Sequence, residues 1–434
     1  MRLTPAEYRP RLADATLKRK LATFGAVEVA GPKFCGKTWT SLNQAASITH
    51  VDDEAIRQLL ELQPSLALEG ETPHVIDEWQ DVPRIWDTAR REVDRRANAK
   101  AQFILTGSST ADKTQVSHSG AGRIARMRMR PMSLFESGLS DGSVSLRGLF
   151  EGAFRTQALT IDIRDLAEAI CRGGWPASLD TPADLAGELP AQYLDALFEV
   201  SARKESLDPR LARRAAISLA RNMGKSVTYK TIWFDSLGEN ESAGSSGPSS
   251  SLYRQKVGPY LSFFADQYFT EDQMGWDAPV KSRSRVQSKP HRTFADPSLP
   301  ASLLGMTPER LLLERQLFGN LFEELCLRDL RVYASAMGQT PEPGVFYYGD
   351  ADGLQVDAVI ELADGRWGAF EIKLSDEKAP EGERSLLRLR DKIAANPAAR
   401  NREPSFLAVL AGKASFARRL PSGVYVVPIT TLGA

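Results

Sequence analysis

Cysteine and histidine are scarce in this chain. Three cysteines, Cys35, Cys171 and Cys326, and four histidines are scattered over 434 residues. The cysteines are odd in number and lack metal-ligand spacing, which fits a reducing compartment and argues against a disulfide framework or a zinc site. No apolar run approaches the ~20 residues needed to cross a bilayer, and no secretory signal opens the sequence. The expected location is the cytoplasm, with no membrane partner. An excess of charge is also lacking: 55 basic residues balance 55 acidic ones, so any nucleic-acid surface has to be a local patch. A chain of this length exceeds one typical core and is expected to form two or three domains.

Against that background one stretch stands out. Gly31, Pro32, Lys33, Phe34, Cys35, Gly36, Lys37 and Thr38 satisfy every fixed position of the P-loop pattern G-x-x-x-x-G-K-[ST]. The loop follows a short apolar run, 26–30, and precedes a helix-compatible segment beginning at Trp39. Its glycines let successive N–H groups curl inward around the phosphates of ATP, and the start of the next helix adds its positive end. Lys37 is placed to reach the β- and γ-phosphates, and the Thr38 hydroxyl to hold Mg²⁺. Residues Gly31 to Trp39 are therefore the expected nucleotide contacts.

A second apolar run, 74–76, ends in Asp77 and Glu78. In nucleotide hydrolases such a pair divides the work: Asp77 binds the Mg²⁺ shell, and Glu78 orients and deprotonates the attacking water. The run 102–105 ends in small polar residues, of which Thr106 or Ser108 would sense the γ-phosphate. Arg123, after the glycines at 120 and 122, is the candidate arginine finger, acting in cis or across a contact in a homo-oligomer. The alternation from Ile124 to Arg130 reads as a strand with one basic face. Strands alternating with helices imply a parallel sheet covered on both faces, with nucleotide at its carboxyl edge.

These residues resemble a family of bacterial ATP-binding proteins with an AAA-type ATPase domain followed by a C-terminal domain of unknown function. The resemblance lies in Tyr8-Arg9-Pro10-Arg11, Gly31-Pro32-Lys33, the run from His74 to Gln80, Leu105 to Ser109, Ala121-Gly122-Arg123 and Arg130 to Glu136. The family usually has arginine where this chain has Lys33, so bidentate phosphate geometry is lost there. The organisation expected is α/β and multidomain: a P-loop ATPase domain over 1–150, a helical, winged-helix-like domain over 151–304, and an α/β domain over 305–434.

The middle segment reads as helices interrupted by a turn at Arg172-Gly173-Gly174-Trp175-Pro176, with a low-complexity insertion over 237–251. Helices over 208–223, 226–233 (capped by Ser226) and 252–264, followed by a β-ribbon, make a winged-helix layout, which the resemblance also implies. Arg254 and Lys256 on the third helix, with Lys281 to Arg285 and Lys289 to Arg292 on the ribbon, suit either contact with double-stranded DNA or a protein-facing surface.

In the last segment Asp357 lies on one strand and Glu371 and Lys373, two apart, share a face of the next. Asp, a hairpin, then Glu-x-Lys resembles the restriction-endonuclease-like core. That resemblance implies Mg²⁺ on Asp357 and Glu371, Lys373 polarising water or phosphate, and Glu323 as a further acidic partner. The same core also serves as a binding module. Three readings stay open: an ATPase coupled to a DNA- or protein-binding half, an ATP-gated nuclease, and a nucleotide-dependent switch that does not hydrolyse.

Overall fold

The computed structural model describes residues 3–110, 118–156, 162–225, 227–238, 250–276, 289–338, 340, 344–397, 399 and 401–434. They gather into two compact units, Met1–Pro131 with Asp266–Phe269, and Met132–Ala265 with Thr270–Ala434.

In the first unit, helix α1 (Leu12–Leu21) leads into β1 (Ala26–Ala30), the P-loop and the short α2 (Lys37–Leu42). Then follow β2 (Ser47–His50), α3 (Glu54–Leu62), β3 (His74–Asp77), α4 (Arg84–Arg95), β4 (Phe103–Gly107) and β5 (Ile124–Arg128). The five strands form one parallel sheet in the order β2-β3-β4-β1-β5. Strands β1, β3 and β4 are buried at every position, as expected of near-continuous apolar runs covered on both faces. Helix α4 shows why a charged segment still packs: Ile85, Trp86, Ala89 and Val93 recur at helical spacing and are buried. They meet Phe103, Leu105 and Ile124 in the core of this unit. Because β4 lies between β1 and β3, its exit stands between the P-loop and the acidic pair.

The second unit begins with β6 (Val144–Ser145), α5 (Leu146–Glu151) and α6 (Ile163–Arg172). Helix α7 (Glu188–Asp195) continues through a π-helical turn (Ala196–Ser201) into α8 (Ala202–Lys204). Helices α9 (Pro209–Arg221), α10 (Tyr229–Leu237) and α11 (Ser250–Asp266) precede an antiparallel ribbon of β7 (Thr270–Gln273) and β8 (His291–Phe294). Helix α10 is capped by the Thr228 hydroxyl, which accepts from the Thr231 N–H at 3.1 Å; the expected cap, Ser226, lies outside the described residues. So do 239–249 of the insertion and Lys281 to Arg285.

Helices α12 (Ser298–Leu303), α13 (Pro308–Leu313) and α14 (Arg315–Met337) lead to β9 (Phe346–Gly349), β10 (Gln355–Glu361), β11 (Trp367–Ser375) and α15 (Ala379–Ala394). Strands β12 (Phe406–Lys413), β13 (Arg418–Arg419), β14 (Tyr425–Pro428) and β15 (Leu432–Gly433) end the chain. Six of these strands form a mixed sheet, β13-β14-β12-β11-β10-β9, in which β11, β12 and β14 run parallel and the other neighbours antiparallel. Residues 132–150, grouped in the sequence with the first domain, fall in the second unit, where Val144 and Ser145 pair with Leu432 and Gly433.

A buried ion network ties this unit together. Arg328 donates to Asp296 at 2.9 Å and to Asp329 at 2.7 Å, all three being almost inaccessible. Asp296 also accepts from the Gly174 N–H at 2.9 Å, and Asp329 from the Leu134 N–H at 2.9 Å. The Gly-Gly-Trp-Pro turn is therefore anchored: a Cβ on Gly174 would lie 2.1 Å from the Met132 carbonyl oxygen, so only glycine fits.

Candidate functional site

At the carboxyl edge of the first sheet, β1 runs straight into the phosphate loop. A Cβ on Gly31 would meet the Met129 carbonyl oxygen at 2.2 Å, which forces glycine where the loop leaves the strand. Phe34 and Gly36 both adopt positive φ, +63° and +99°, giving the sharp curl that turns backbone N–H groups inward. Lys37 is buried, and its Nζ donates to the Pro32 carbonyl at 2.8 Å. The ammonium thus lies folded across its own loop. Phe34 and Trp39 are exposed, 51% and 45%, on the solvent side of the loop.

Thr38 and Asp77 meet across the strand ends, Thr38 Oγ1 donating to Asp77 Oδ1 at 2.9 Å. The same carboxylate oxygen accepts from the Thr106 hydroxyl. Burial pushes the Asp77 carboxyl above its ordinary value, and the charge of Glu78 adds to this, while the two threonine hydroxyls stabilise its charged form. A hydroxyl and a carboxylate facing one another are hard oxygen donors of the kind Mg²⁺ takes beside phosphates. His50, brought level with Asp77 by the β2–β3 register, stands 3.6 Å from Asp77 Oδ2. Nothing in the sequence pointed to it; only the pairing register does.

Glu78 occupies the left-handed region, φ +56°, which a side chain other than glycine adopts at a cost and which recurs at functional sites. Its Oε2 accepts from the Ser108 hydroxyl at 2.7 Å, the Ser108 N–H at 3.3 Å and the Gln80 side-chain amide. The Glu78 N–H donates to Thr106 Oγ1 at 3.3 Å. Thr106 is fully buried, and its hydroxyl is spent on Asp77; Ser108 braces the carboxylate of Glu78.

Arg123 is not at this edge. It immediately precedes β5, whose Ile124 aligns with Ala26 at the beginning of β1, and its carbonyl accepts from the Ala26 N–H. The guanidinium pairs with Asp94 at 2.8 Å. A five-residue strand separates it from the P-loop, ~16 Å. The loop carrying Arg123 enters a parallel strand, whereas the loops at the carboxyl edge leave strands, so the guanidinium lies away from its own P-loop.

In the second unit, Asp357, Glu371 and Lys373 come together next to the Ala358–Phe370 pair of β10 and β11. Lys373 Nζ donates to Glu371 Oε2 at 2.6 Å and lies 3.8 Å from Asp357 Oδ2. Asp357 Oδ2 also accepts from the Ile372 N–H at 2.7 Å. Burial, then the charge of Asp357, pushes Glu371 up to about 8, against the pull of Lys373. Glu323, on α14, is held well above its ordinary value by burial and next by the charge of Asp357. Burial alone would lower Lys373, but Asp357 and Glu371 outweigh it and raise it. The ammonium takes the place between the two carboxylates, and among the described residues no group of three or more His, Cys, Asp or Glu side chains stands ready to hold a metal ion.

Of the basic residues expected on the ribbon, Lys289 is exposed and His291 and Arg292 are half-buried. His291 stacks on Tyr347 at 3.8 Å and Arg292 lies 5.8 Å over Tyr229. Gln273 donates to the Asp357 carbonyl at 2.8 Å. Arg254 and Lys256 are exposed on α11, Lys256 lying over Trp233 at 4.4 Å. No helix among the described residues is long and apolar enough to cross a membrane.

Residues 23–137 match the family model of the AAA domain. Residues 163–310 and 318–432 each match a domain of unknown function, DUF8612 and DUF4143 respectively. No curated protein matches the chain. Among solved structures it is similar to the Walker-type ATPase of Pyrococcus abyssi, with 14% identity over 70% of this chain and 98% of that one, at a TM-score of 0.40. It is also similar to the replication initiator DnaA bound to AMPPCP and single-stranded DNA, with 12% identity over 58% and 88% and a TM-score of 0.27. A third is RuvB of Thermotoga maritima, with 16% identity over 60% and 86% and a TM-score of 0.26. Scores this low carry no argument. The family match and the loop, threonine and acidic pair now in view make the first unit an AAA-type P-loop domain.

Proposed function

We propose that this protein binds ATP with Mg²⁺ and hydrolyses it in the first unit, coupling turnover to a DNA- or protein-binding second unit in the cytoplasm. The observation that carries the reading is the 2.9 Å contact between Thr38 and Asp77 beside a glycine loop that already holds Lys37. Residues Gly31 to Trp39 bind the nucleotide, its phosphates lying against the loop N–H groups and Lys37. Thr38 and Asp77 would hold Mg²⁺, which when bound neutralises charge on the phosphates. Glu78 takes a proton from the attacking water while the bond to ADP breaks. Thr106 holds Asp77, and Ser108 holds Glu78. Arg123, remote from its own nucleotide, acts as a finger only across a contact between copies.

For the second unit, the order of α9, α10, α11 and the β7–β8 ribbon supports a winged-helix-like module, with Arg254 and Lys256 as its exposed cations. The mixed sheet with Asp357, Glu371, Lys373 and Glu323 supports a restriction-endonuclease-like core. The convergence of those four residues favours one further reading, an ATP-gated nuclease, for which Lys373→Ala should abolish DNA cleavage and spare ATP turnover.

Mg²⁺-dependent phosphate release from ATP, with and without double-stranded DNA, tests the proposal for wild type beside Lys37→Ala. Turnover that needs Lys37 and rises with DNA supports a DNA-coupled ATPase. Lys37-dependent turnover indifferent to DNA points to a protein partner. Tight ATP binding without turnover overturns hydrolysis in favour of a switch.

A further inference from the structure

Behind the phosphate loop lies a guanidinium to which the reading above gives no task. Arg11, the residue capping α1, is 7% exposed. Its Nη1 donates to the Cys35 carbonyl at 2.8 Å and its Nη2 to the Arg130 carbonyl at 2.9 Å. The Arg11 N–H is held by Asp14 at 2.9 Å. Asp14 in turn accepts from the Tyr8 hydroxyl, which meets Thr40 Oγ1 of α2 at 3.2 Å. The stretch Tyr8 to Arg11 therefore grips the loop at Cys35 and the following helix at Thr40.

A planar trans peptide makes the consequence specific. Its C=O and the next residue's N–H point in opposite directions, and Cys35–Gly36 is trans. A guanidinium that draws the Cys35 carbonyl to the back of the loop necessarily turns the Gly36 N–H to the front, where phosphate binds. The φ of +99° at Gly36 is the backbone rotation that accommodates this. The second donor, Nη2 on the Arg130 carbonyl, fixes the guanidinium against the exit of β5, so the pull has a rigid anchor. One ammonium is a point donor and cannot hold two carbonyls in a fixed fork; a guanidinium can.

We infer that Arg11 is a positioning residue for the phosphate site: it presets the Gly36 N–H as an anion donor before any nucleotide arrives. The inference rests on the reading of this loop as the ATP site. It assigns Arg11 an effect on phosphate affinity, exerted through the Cys35–Gly36 peptide and without contact to the ligand.

The test uses the full chain as wild type, Arg11→Lys, Arg11→Met and Lys37→Ala. Affinities for MgATP, MgADP and inorganic pyrophosphate are measured by calorimetry, well below the melting temperature of each variant. Wild type should bind, and both Arg11 variants should lose about tenfold to a hundredfold for all three ligands, the range for a hydrogen bond to a charged group. Pyrophosphate has no base or ribose, so an equal loss there localises the effect to the phosphate cradle. Arg11 variants that melt lower yet bind all three ligands as wild type does would overturn the inference and leave Arg11 a packing residue. If Arg11→Met does not fold, Arg11→Lys, which keeps the charge and the stem, decides alone. Failure of wild type to bind MgATP removes the ATP reading itself, and the inference with it. Loss confined to Lys37→Ala keeps the ATP reading and overturns only the role of Arg11.

Discussion

Ser108 donates both its hydroxyl and its backbone N–H to the same carboxylate oxygen of Glu78, at 2.7 and 3.3 Å. Glu78 sits in a left-handed backbone conformation immediately after β3, so its side chain is aimed by its surroundings rather than by the strand. The serine, at the end of the neighbouring β4, supplies that aim. Replacing Ser108 with alanine should lower kcat about tenfold to a hundredfold, the scale of a hydrogen bond to a charged group, with KM for ATP little changed. Steady-state phosphate release checks it; an unchanged kcat would leave Glu78 aimed by Gln80 and its own backbone.

Glu78→Gln removes the base but keeps the shape. Turnover should fall by about 10²- to 10⁴-fold, while ATP affinity stays within a few-fold of wild type by order of magnitude. Trp39 is a built-in reporter: exposed and next to Thr38, its fluorescence should respond to ATP equally in both proteins. A variant that still turns over ATP would remove Glu78 from the role of base.

How much of this was legible before the fold was known depends on how local each feature is. The P-loop and the Asp77-Glu78 pair are written in consecutive residues, so their chemistry could be read directly. Arg123 could not be: its placement depends on whether its loop enters or leaves β5, and a parallel sheet sends those two ends to opposite edges. Arg11 and His50 gain their places only through chain-distant partners, the Cys35 carbonyl and Asp77. The surroundings of the ribbon are non-local for a related reason. Lys289 to Arg292 carry charge, yet the rings of Tyr347 and Tyr229 cover His291 and Arg292, and a sequence does not show which aromatic faces will be nearby.

The ion network of the second unit is equally hidden, since charged residues on a long helix ordinarily face water. Here Arg328 and Asp329 are buried with Asp296. Arg328→Met leaves two buried carboxylates without their shared cation and should cost about 3–5 kcal/mol. Urea titration followed by tryptophan fluorescence measures it, Trp175 being buried beside Asp296's neighbour Ser298, to which its indole N–H donates at 2.9 Å. An undiminished midpoint would show that the carboxylates find other partners.

His291 supplies the pH dependence. Its ring lies flat on Tyr347, 3.8 Å away and tilted by only 10°, and burial holds its pKa below the ordinary imidazole value of 6.5. A group whose folded pKa is depressed is bound to fewer protons in the folded state than in the unfolded one at intermediate pH. The stability it contributes is therefore fully present above pH 6.5, the ordinary value taken for the unfolded chain. It is lost as pH falls through the lower folded value, because the unfolded chain gains the proton first. Melting of wild type should thus drop as pH is lowered from neutrality, beyond the general acid loss carried by the carboxylates. His291→Phe keeps a flat ring against Tyr347 and carries no proton, so its melting curve should fall less steeply over the same range. Parallel curves for the two proteins would mean that the imidazole titrates in the fold as it does in water, and that the stack on Tyr347 does not exclude solvent from it.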